Sequence, residues 1–265
     1  MDYIDIEIVK DIVKAASALM DRQGGFEVEE KGARENIVTS SDLAVQHFLM
    51  KELRARFPEV GFLCEEEDMT DIRGHEAVWV IDPIDGTCNY SRGNENCCVS
   101  VALVCGGESV LGVVYSPWRG ELYSAEKGKG AFCNGRPIHV SDRPFENGIL
   151  FTAMALYRKD LAKACSDIIY DLYMDCNDVR RTGSAAIELC LMAAGFAELY
   201  FEMRLMPWDY AAAGLILEEA GGAVCSFGGG KPSPYKPSMY IAANSRESCL
   251  RILEVIRKHL PELPY

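Results

Sequence analysis

The chain lacks long segments of any single character, and each absence removes a class of function. None of its apolar stretches is long enough to cross a bilayer, so no membrane partner is expected. No Lys- or Arg-rich tract is present, and 27 basic residues stand against 40 acidic ones, a formal charge of −13, so a phosphodiester backbone is not an expected partner. No Cys-x-x-Cys pair and no Cys/His grouping with zinc spacing occurs. The eleven cysteines, an odd number at irregular spacing, therefore read as reduced, buried thiols of a cytoplasmic protein. Repeats and low-complexity tracts are missing, and 49% hydrophobic with 25% charged residues excludes disordered, collagen-like and mucin-like chains. The first twenty residues carry acids where a secretory leader needs bases. Ile4, Val9, Ile12, Val13, Ala16, Leu19 and Met20 instead fall at the spacing of an amphipathic helix.

What is present is enough chain, 265 residues, for a substantial core. A second helix is predicted after Ser41 and Asp42, with Leu43, Val45, Phe48, Leu49, Leu53 and Phe57 as its apolar stripe and Pro58 as its stop, so that two helices precede the first strands. Gly61–Cys64 and Ala77–Ile81 read as strands, the latter cut off by Asp82 and Pro83. Short strands punctuated by turns from Cys97 to Val140 predict an antiparallel meander. After about residue 148 strands (149–153, 177–181, 197–202, 223–227, 240–243) alternate with helices (159–174, 184–194, 210–220, 246–259), the rhythm of helices packed on sheets. Two halves, 1–145 and 146–265, are expected to pack as one compact unit.

The chemistry-bearing residues gather at element ends. Asp82-Pro83-Ile84-Asp85-Gly86-Thr87 follows a buried strand, so both carboxylates can face one point beyond it while Gly86 admits an anion to the backbone N–H groups. Alone, such a string could be only a turn. Glu65-Glu66-Glu67 closes a neighbouring strand, where Glu65 could share a cation with Asp82, although a short acidic run is most often a solvated loop. Asp209, in Trp208-Asp209-Tyr210, reads as a helix N-cap with a second oxygen to spare. Arg180 to Ala186 opens another helix, whose free N–H groups and positive dipole end suit an anion, and Ser184 is its ordinary cap.

Taken together, these segments resemble the inositol monophosphatase family of the lithium-sensitive, Mg²⁺-dependent phosphatase superfamily. The match covers Lys31 to Phe227 and includes Val38-Thr39 through Asp42, Glu65-Glu66, DPIDGT, the Gly112–Ser141 meander, Arg180–Ala185, Glu202 and WDYAAAG. The resemblance implies a layered αβαβα sandwich of the α/β (α+β) class and a homodimer. It further implies metal ligation by Glu65, Asp82, the Ile84 carbonyl, Asp85 and Asp209, with Asp42 and Thr87 orienting the attacking water. Phosphate would be held by Asp85 and the Gly86 and Thr87 amides, and the alcohol moiety by Gly183, Ser184, Ala185 and Glu202. Three positions depart from the family pattern: Cys64 stands where Gly is usual, Cys88 where Thr is common, and Glu67 adds a third acid beside the Glu65–Glu66 pair.

Four carboxylates at one point, joined by a phosphate monoester with roughly two charges of its own, require cations. An all-oxygen donor set points to two or three Mg²⁺ ions rather than zinc. The expected reaction is hydrolysis of myo-inositol 1-phosphate or a related sugar phosphate by a metal-activated water held by Glu65 and Thr87, with inversion at phosphorus. Asn89-Tyr90 and Glu202 favour inositol phosphate. Fructose 1,6-bisphosphate, 3'-phosphoadenosine 5'-phosphate and histidinol phosphate are the alternatives, and a non-catalytic regulator associated with RNA polymerase is the reading from a different class.

Overall fold

The structure is a computed structural model that describes residues 4–21, 25–33, 36–66, 70–155 and 158–263. Its five layers are helix, sheet, helix, sheet, helix. The outermost pair is α1 (Ile6–Ser17) and α2 (Ser40–Arg56), which cover one face of an eight-stranded sheet. That sheet runs β10-β9-β8-β7-β6-β5-β3-β4, from β3 (Gly61–Cys64), β4 (Thr70–Asp71), β5 (Ala77–Asp85), β6 (Cys98–Cys105), β7 (Glu108–Ser116), β8 (Glu121–Glu126), β9 (Ala131–Cys133) and β10 (Arg136–Ile138). Only β3 and β5 pair in parallel; the predicted meander is antiparallel throughout.

The middle layer is α5 (Ala185–Ala193) and α6 (Pro207–Glu219). Beyond it lies a five-stranded sheet, β12-β11-β13-β15-β14, formed by β11 (Ile149–Thr152), β12 (Asp178–Arg180), β13 (Leu199–Leu205), β14 (Ala223–Cys225) and β15 (Ser238–Ala243), and α4 (Ala162–Asp175) and α7 (Arg246–His259) close its far side.

Burial on both faces explains why β5 and β6 read as unbroken apolar runs rather than alternating ones. Trp79, Ile81, Val99, Val101 and Leu103 pack towards α1 and α2, while Val78, Val80, Cys98, Ala102 and Val104 pack towards α5 and α6. The middle helices are apolar all round for the same reason: each has a sheet on either side.

Three expectations need correction. A hairpin of β1 (Val28–Ala33) and β2 (Asn36–Thr39) precedes α2, so the two helices do not come before every strand. Its exposed Val28–Glu30 stretch buries no face and therefore carries no alternating signal. Helix α2 starts at Ser40, not after Ser41 and Asp42. Thr39 is its cap, and Asp42 sits at the third helical position, completing a capping box with Thr39. Finally, β5 does not stop at Ile81 but runs to Asp85 through a one-residue bulge: Asp82 opposes Ser100 and Asp85 opposes Cys98.

That bulge has a consequence for the site. In a regular strand residues three apart point to opposite faces. With one residue absorbed, Asp82 and Asp85 oppose residues two apart on β6 and so share the face towards α5 and α6.

Helix α6 lies close against this sheet because Gly112 of β7 carries no side chain. A Cβ there would sit 2.7 Å from the Ala212 carbonyl oxygen, a backbone atom that can move only with the helix. Gly112→Ala is expected to cost about 1–3 kcal/mol by overpacking, read as a lower urea midpoint at unchanged m-value. An unchanged midpoint would show that α6 backs away freely.

Candidate active site

The cleft forms where β3 and β5 end and four helices begin. Its cavity, about 130 Å³, is lined by Glu65, Asp82, Ile84, Asp85 and Asp209 on one side and by Gly183, Ser184, Ala185 and Glu202 on the other, with Gly86 and Thr87 between them. Every residue predicted for the site lines this cavity except Asp42, which reaches it through Thr87. One carboxylate oxygen each from Asp82, Asp85 and Asp209 lie within 4.8 Å of one another. Glu65 stands beside this trio, hydrogen-bonded to the Asp82 carboxyl. Its backbone N–H donates to the Ile81 carbonyl at 3.2 Å, which fixes the end of β3 against β5.

Of the two neighbouring acids, Glu65 lines the cavity and Glu66 does not. Glu66 is buried, with its backbone N–H and C=O clamped by the Gln46 side chain at 3.0 and 2.8 Å. Glu67 lies outside the described residues, as do positions 156 and 157 of the loop after Met154.

Each aspartate is held by the element that carries it. Asp82 Oδ1 accepts from the Ile84 N–H at 3.0 Å, closing the bulge. Asp85 Oδ2 accepts from the Ser184 hydroxyl at 2.5 Å and the Ala186 N–H at 2.7 Å, so it is docked on the positive end of α5. Ser184 is the cap of that helix as predicted, accepting from the Ile187 N–H. Asp209 is not the N-cap of α6: the helix starts at Pro207, whose ring suits the first helical position, and Asp209 lies at the third. Its Oδ2 reaches back to the Met206 N–H at 2.7 Å, which leaves Oδ1 for the cleft.

Thr87 opens the short helix α3 (Thr87–Tyr90), placed by Gly86 at φ +89°, where a Cβ would meet the Asn96 carbonyl at 2.8 Å. The Thr87 hydroxyl lies 3.1 Å from Asp42 Oδ1 and 3.0 Å from the Ile84 carbonyl, with one proton to give to either. The other Asp42 oxygen is taken by the N–H and hydroxyl of Thr39.

Residues given no individual role in the predicted site support and complete its walls. The Asn89 side-chain amide donates to the Asn96 and Thr182 carbonyls at 2.7 and 2.8 Å and so ties the Gly183 loop to α3. Glu188 accepts from the Thr182 hydroxyl and N–H and from the Gly183 N–H, holding the same loop from behind. Arg181 and Arg204 line the cavity near Glu202, whose carboxylate accepts from the Tyr200 hydroxyl at 2.8 Å. The acid at Glu188 and the cation at Arg204 fall in apolar stretches of helix and strand, where a lone charged residue was the only available signal.

Electrostatically the cleft is strained by like charge. Asp82 is pushed well above the usual carboxylate range by burial and then by the charges of Glu65, Asp85 and Asp209. Asp209 is raised by burial and by Asp85 and Glu65. Asp85 is raised by burial against the opposing pull of Ser184 and the α5 amides. Burial lifts Glu188 to about 7 and Glu202 to about 8.

A hard cation fits this donor set. Asp82, Asp85, Asp209, Glu65 and the Ile84 carbonyl offer oxygen only. The adjacent Cys98 Sγ, 4.0 Å from Asp85, is kept as a thiol by burial and neighbouring acids.

The model of the inositol monophosphatase family matches residues 1–260. The chain belongs to that family. Over 198 residues it is 40% identical to a Nus factor SuhB of Xylella fastidiosa, covering 74% of this chain and 71% of that one. Among solved structures it is similar to an IMPase of Thermotoga maritima (TM-score 0.86, 31% identity, 99% of this chain and 100% of that one). It is also similar to an IMPase/NADP phosphatase complexed with Mg²⁺ and phosphate (TM-score 0.84, 26% identity, 96% and 95% covered). Family membership and the αβαβα architecture are thus established together.

The raised carboxyls make stability fall with pH in chelated protein. A folded-state pKa above the unfolded one means that the native state binds more protons between the two, so unfolding free energy declines as pH rises. For Glu202 this window runs from the ordinary glutamate value of 4.5 to about 8. In EDTA the melting temperature should drop across it, less steeply in Glu202→Gln, and Asp82→Asn should melt higher than wild type at the alkaline end. A flat profile with no gain in Asp82→Asn would show that the carboxylates are not crowded.

Proposed function

We propose that the protein is a Mg²⁺-dependent phosphomonoesterase that hydrolyses a cyclitol or sugar phosphate to the alcohol and inorganic phosphate, with myo-inositol 1-phosphate as the leading substrate on family resemblance. The observation that carries this reading is the convergence of Asp82, Asp85 and Asp209, with Glu65 alongside, next to a Thr87–Asp42 pair. Glu65, Asp82, Asp85, Asp209 and the Ile84 carbonyl would hold the Mg²⁺ ions. When bound, these supply the positive charge that lets a phosphate dianion enter an acidic cleft and that makes a water acidic enough to attack.

The chain's own groups do the rest. An attacking water donates to Thr87 Oγ1 and to the Glu65 carboxylate. Because the Thr87 hydroxyl donates onward to Asp42 Oδ1, its lone pair faces the water, and the buried Asp42 biases that orientation. The Gly86 and Thr87 N–H groups, at the open end of α3, receive phosphate oxygens. The Gly183 and Ala185 backbone and the Glu202 carboxyl bind hydroxyls of the leaving alcohol. Among the described residues no side chain is placed as a covalent nucleophile, so displacement is direct and in line. The eleven thiols, all free, suit a reducing compartment such as the cytoplasm, and the homodimer usual for the family is carried over as part of this reading.

The second reading, a regulator on the same fold, is favoured by relatives named as Nus factors. The discriminating measurement is Mg²⁺-dependent phosphate release from inositol 1-phosphate, fructose 1,6-bisphosphate, 3'-phosphoadenosine 5'-phosphate and histidinol phosphate. Release lost on chelation supports the enzyme. Silence on all four in folded, Mg²⁺-supplied protein favours the regulator.

Asp82→Asn and Asp209→Asn should reduce release to background while retaining the native melting transition; full activity in either would displace the metal site. Asp42→Asn should lower kcat by roughly 10²-fold with KM little changed, the low end of what a positioned proton acceptor contributes. A change confined to KM removes its orienting role. With a chiral phosphate ester, inversion is expected, and retention would demand a phosphoenzyme.

A further inference from the structure

Away from the cleft, two cysteines meet on the far side of the five-stranded sheet. Cys225 ends β14, Cys249 lies in the first turn of α7, and both are fully buried where that helix covers the sheet. Their side chains are hydrogen-bonded to each other. Cys249 Sγ also donates to the carbonyl of Ala223, two residues before Cys225, at 3.1 Å.

The helix period sets this contact. Arg246, Cys249, Leu253 and Arg257 fall at i, i+3, i+7 and i+11, a single stripe along α7. From that stripe the Arg246 guanidinium donates to the Val224 carbonyl at 3.3 Å, to the Gly229 carbonyl at 2.5 Å and to the Cys225 sulfur. Arg257 donates to the Phe227 carbonyl at 2.7 Å, so the turn that follows Cys225 is tied to the helix at two points.

A thiol used only for packing needs no cation beside it. Burial pushes such a thiol up, as at Cys64 and Cys165. Cys225 goes the other way: the hydrogen bond from Cys249, followed by the charges of Arg246 and Arg257, pulls it down to about 7 against its own burial. Cys249 is held protonated by the same hydrogen bond and by burial. One sulfur is therefore readily ionised near neutral pH while its neighbour keeps a proton, which is the pairing of an attacking with a resolving cysteine. Side chains already in contact also meet the first geometric requirement of a disulfide.

Access favours a small oxidant. Between Cys225 and solvent stand the exposed Arg246 and a turn whose residues 228–230 are all glycine. No side chain seals that turn, and a Cβ on Gly230 would meet nothing within 4 Å.

We propose that Cys225 and Cys249 are an oxidisable dithiol whose oxidant is a hydroperoxide, and that it closes to a disulfide joining β14 to α7. The Cys225 thiolate attacks one oxygen of hydrogen peroxide, the O–O bond breaks, and the departing hydroxide takes up the proton that the thiol had released, giving water and a Cys225 sulfenic acid. Cys249 sulfur then attacks the Cys225 sulfur, the S–O bond breaks, and hydroxide leaves with the Cys249 proton as a second water. The two thiols lose two electrons and the peroxide gains them.

The test is disulfide mapping of the full, reduced chain exposed to hydrogen peroxide under native conditions, alkylated and digested with trypsin. Cleavage after Arg246 separates the two cysteines, so their disulfide appears as a linked peptide pair two hydrogens lighter than the sum of its parts. The two free peptides should be lost together, in equal proportion, and return on addition of dithiothreitol, with the melting transition of the oxidised protein retained. In Cys249→Ala, dimedone should capture a sulfenic acid at Cys225, whereas in Cys225→Ala it should leave Cys249 unlabelled. Should either variant fail to fold, mapping of the wild-type chain decides. A linked pair that forms only after unfolding in urea, or native disulfides that leave Cys225 and Cys249 free, overturns the proposal; labelling confined to Cys249 overturns the order of attack. Mapping requires no turnover, so its outcome is separate from that of the phosphatase reading.

Discussion

The structure is organised around the repulsion between carboxylates that cannot escape one another. Asp82 and Asp85 are brought to one face by the bulge in β5, and Asp209 is presented to them by α6. Burial alone would raise all three, and their proximity raises Asp82 and Asp209 further. The surrounding fold offsets this with polarity aimed inward. Helices α2, α3, α5 and α6 all begin at the cleft, and Asp42 and Asp209 occupy the third position of their helices while Asp85 is docked on the first turn of α5. Each helix start contributes free N–H groups and the positive end of a dipole. What remains uncompensated is the attraction of the site for a cation.

The layered architecture makes this convergence possible. Because α5 and α6 are sandwiched between two sheets, they are apolar on every side and cannot rotate to solvate a misplaced charge. Gly112 lets α6 approach β7 backbone to backbone, and Gly214 leaves room for the Tyr240 hydroxyl on the opposite side. The position of Asp209 therefore depends on one glycine distant from it in sequence, Gly112, and on another within its own helix, Gly214. The loop that faces it, Thr182–Gly183, is fixed by Asn89 from α3 and Glu188 from α5, so the alcohol side and the metal side share the same supports.

Much of this was legible from residues alone, for a physical reason: motifs at element ends carry both a conformational and a chemical signal. Asp85-Gly86-Thr87 needs its glycine at φ +89° and also aims the neighbouring groups, so one string announces turn and site together. Helix α7 matched its predicted bounds because Ser245 caps it and its apolar period is clean. The β1–β2 hairpin was invisible because the Val28–Glu30 stretch of its first strand is exposed throughout, and β5 was read as too short because proline is taken as a strand stop, whereas a bulge tolerates it. Asp209 was placed as a cap because Asp is a good one; Pro207, suited to the first helical turn, was the overlooked sign. Arg204 and Glu188 were missed because nothing local distinguishes a charge that lines a cavity from one that reaches solvent.

The cysteines show how the site constrains chemistry it does not use. Cys98 lies 4.0 Å from Asp85 and 3.8 Å from Ser184, near enough to compete as a ligand were it a thiolate. Burial and the adjacent acids hold it protonated, and Cys97, one residue before it, is likewise raised by burial. The negative field of the acids therefore suppresses the thiolate of Cys98, so the same crowding that raises the aspartates disfavours a soft donor beside them. A chain that only needed this fold as an interaction scaffold would gain stability by replacing one of the crowded aspartates with its amide. All four acids are present, which supports the proposed phosphatase reading over the scaffold one.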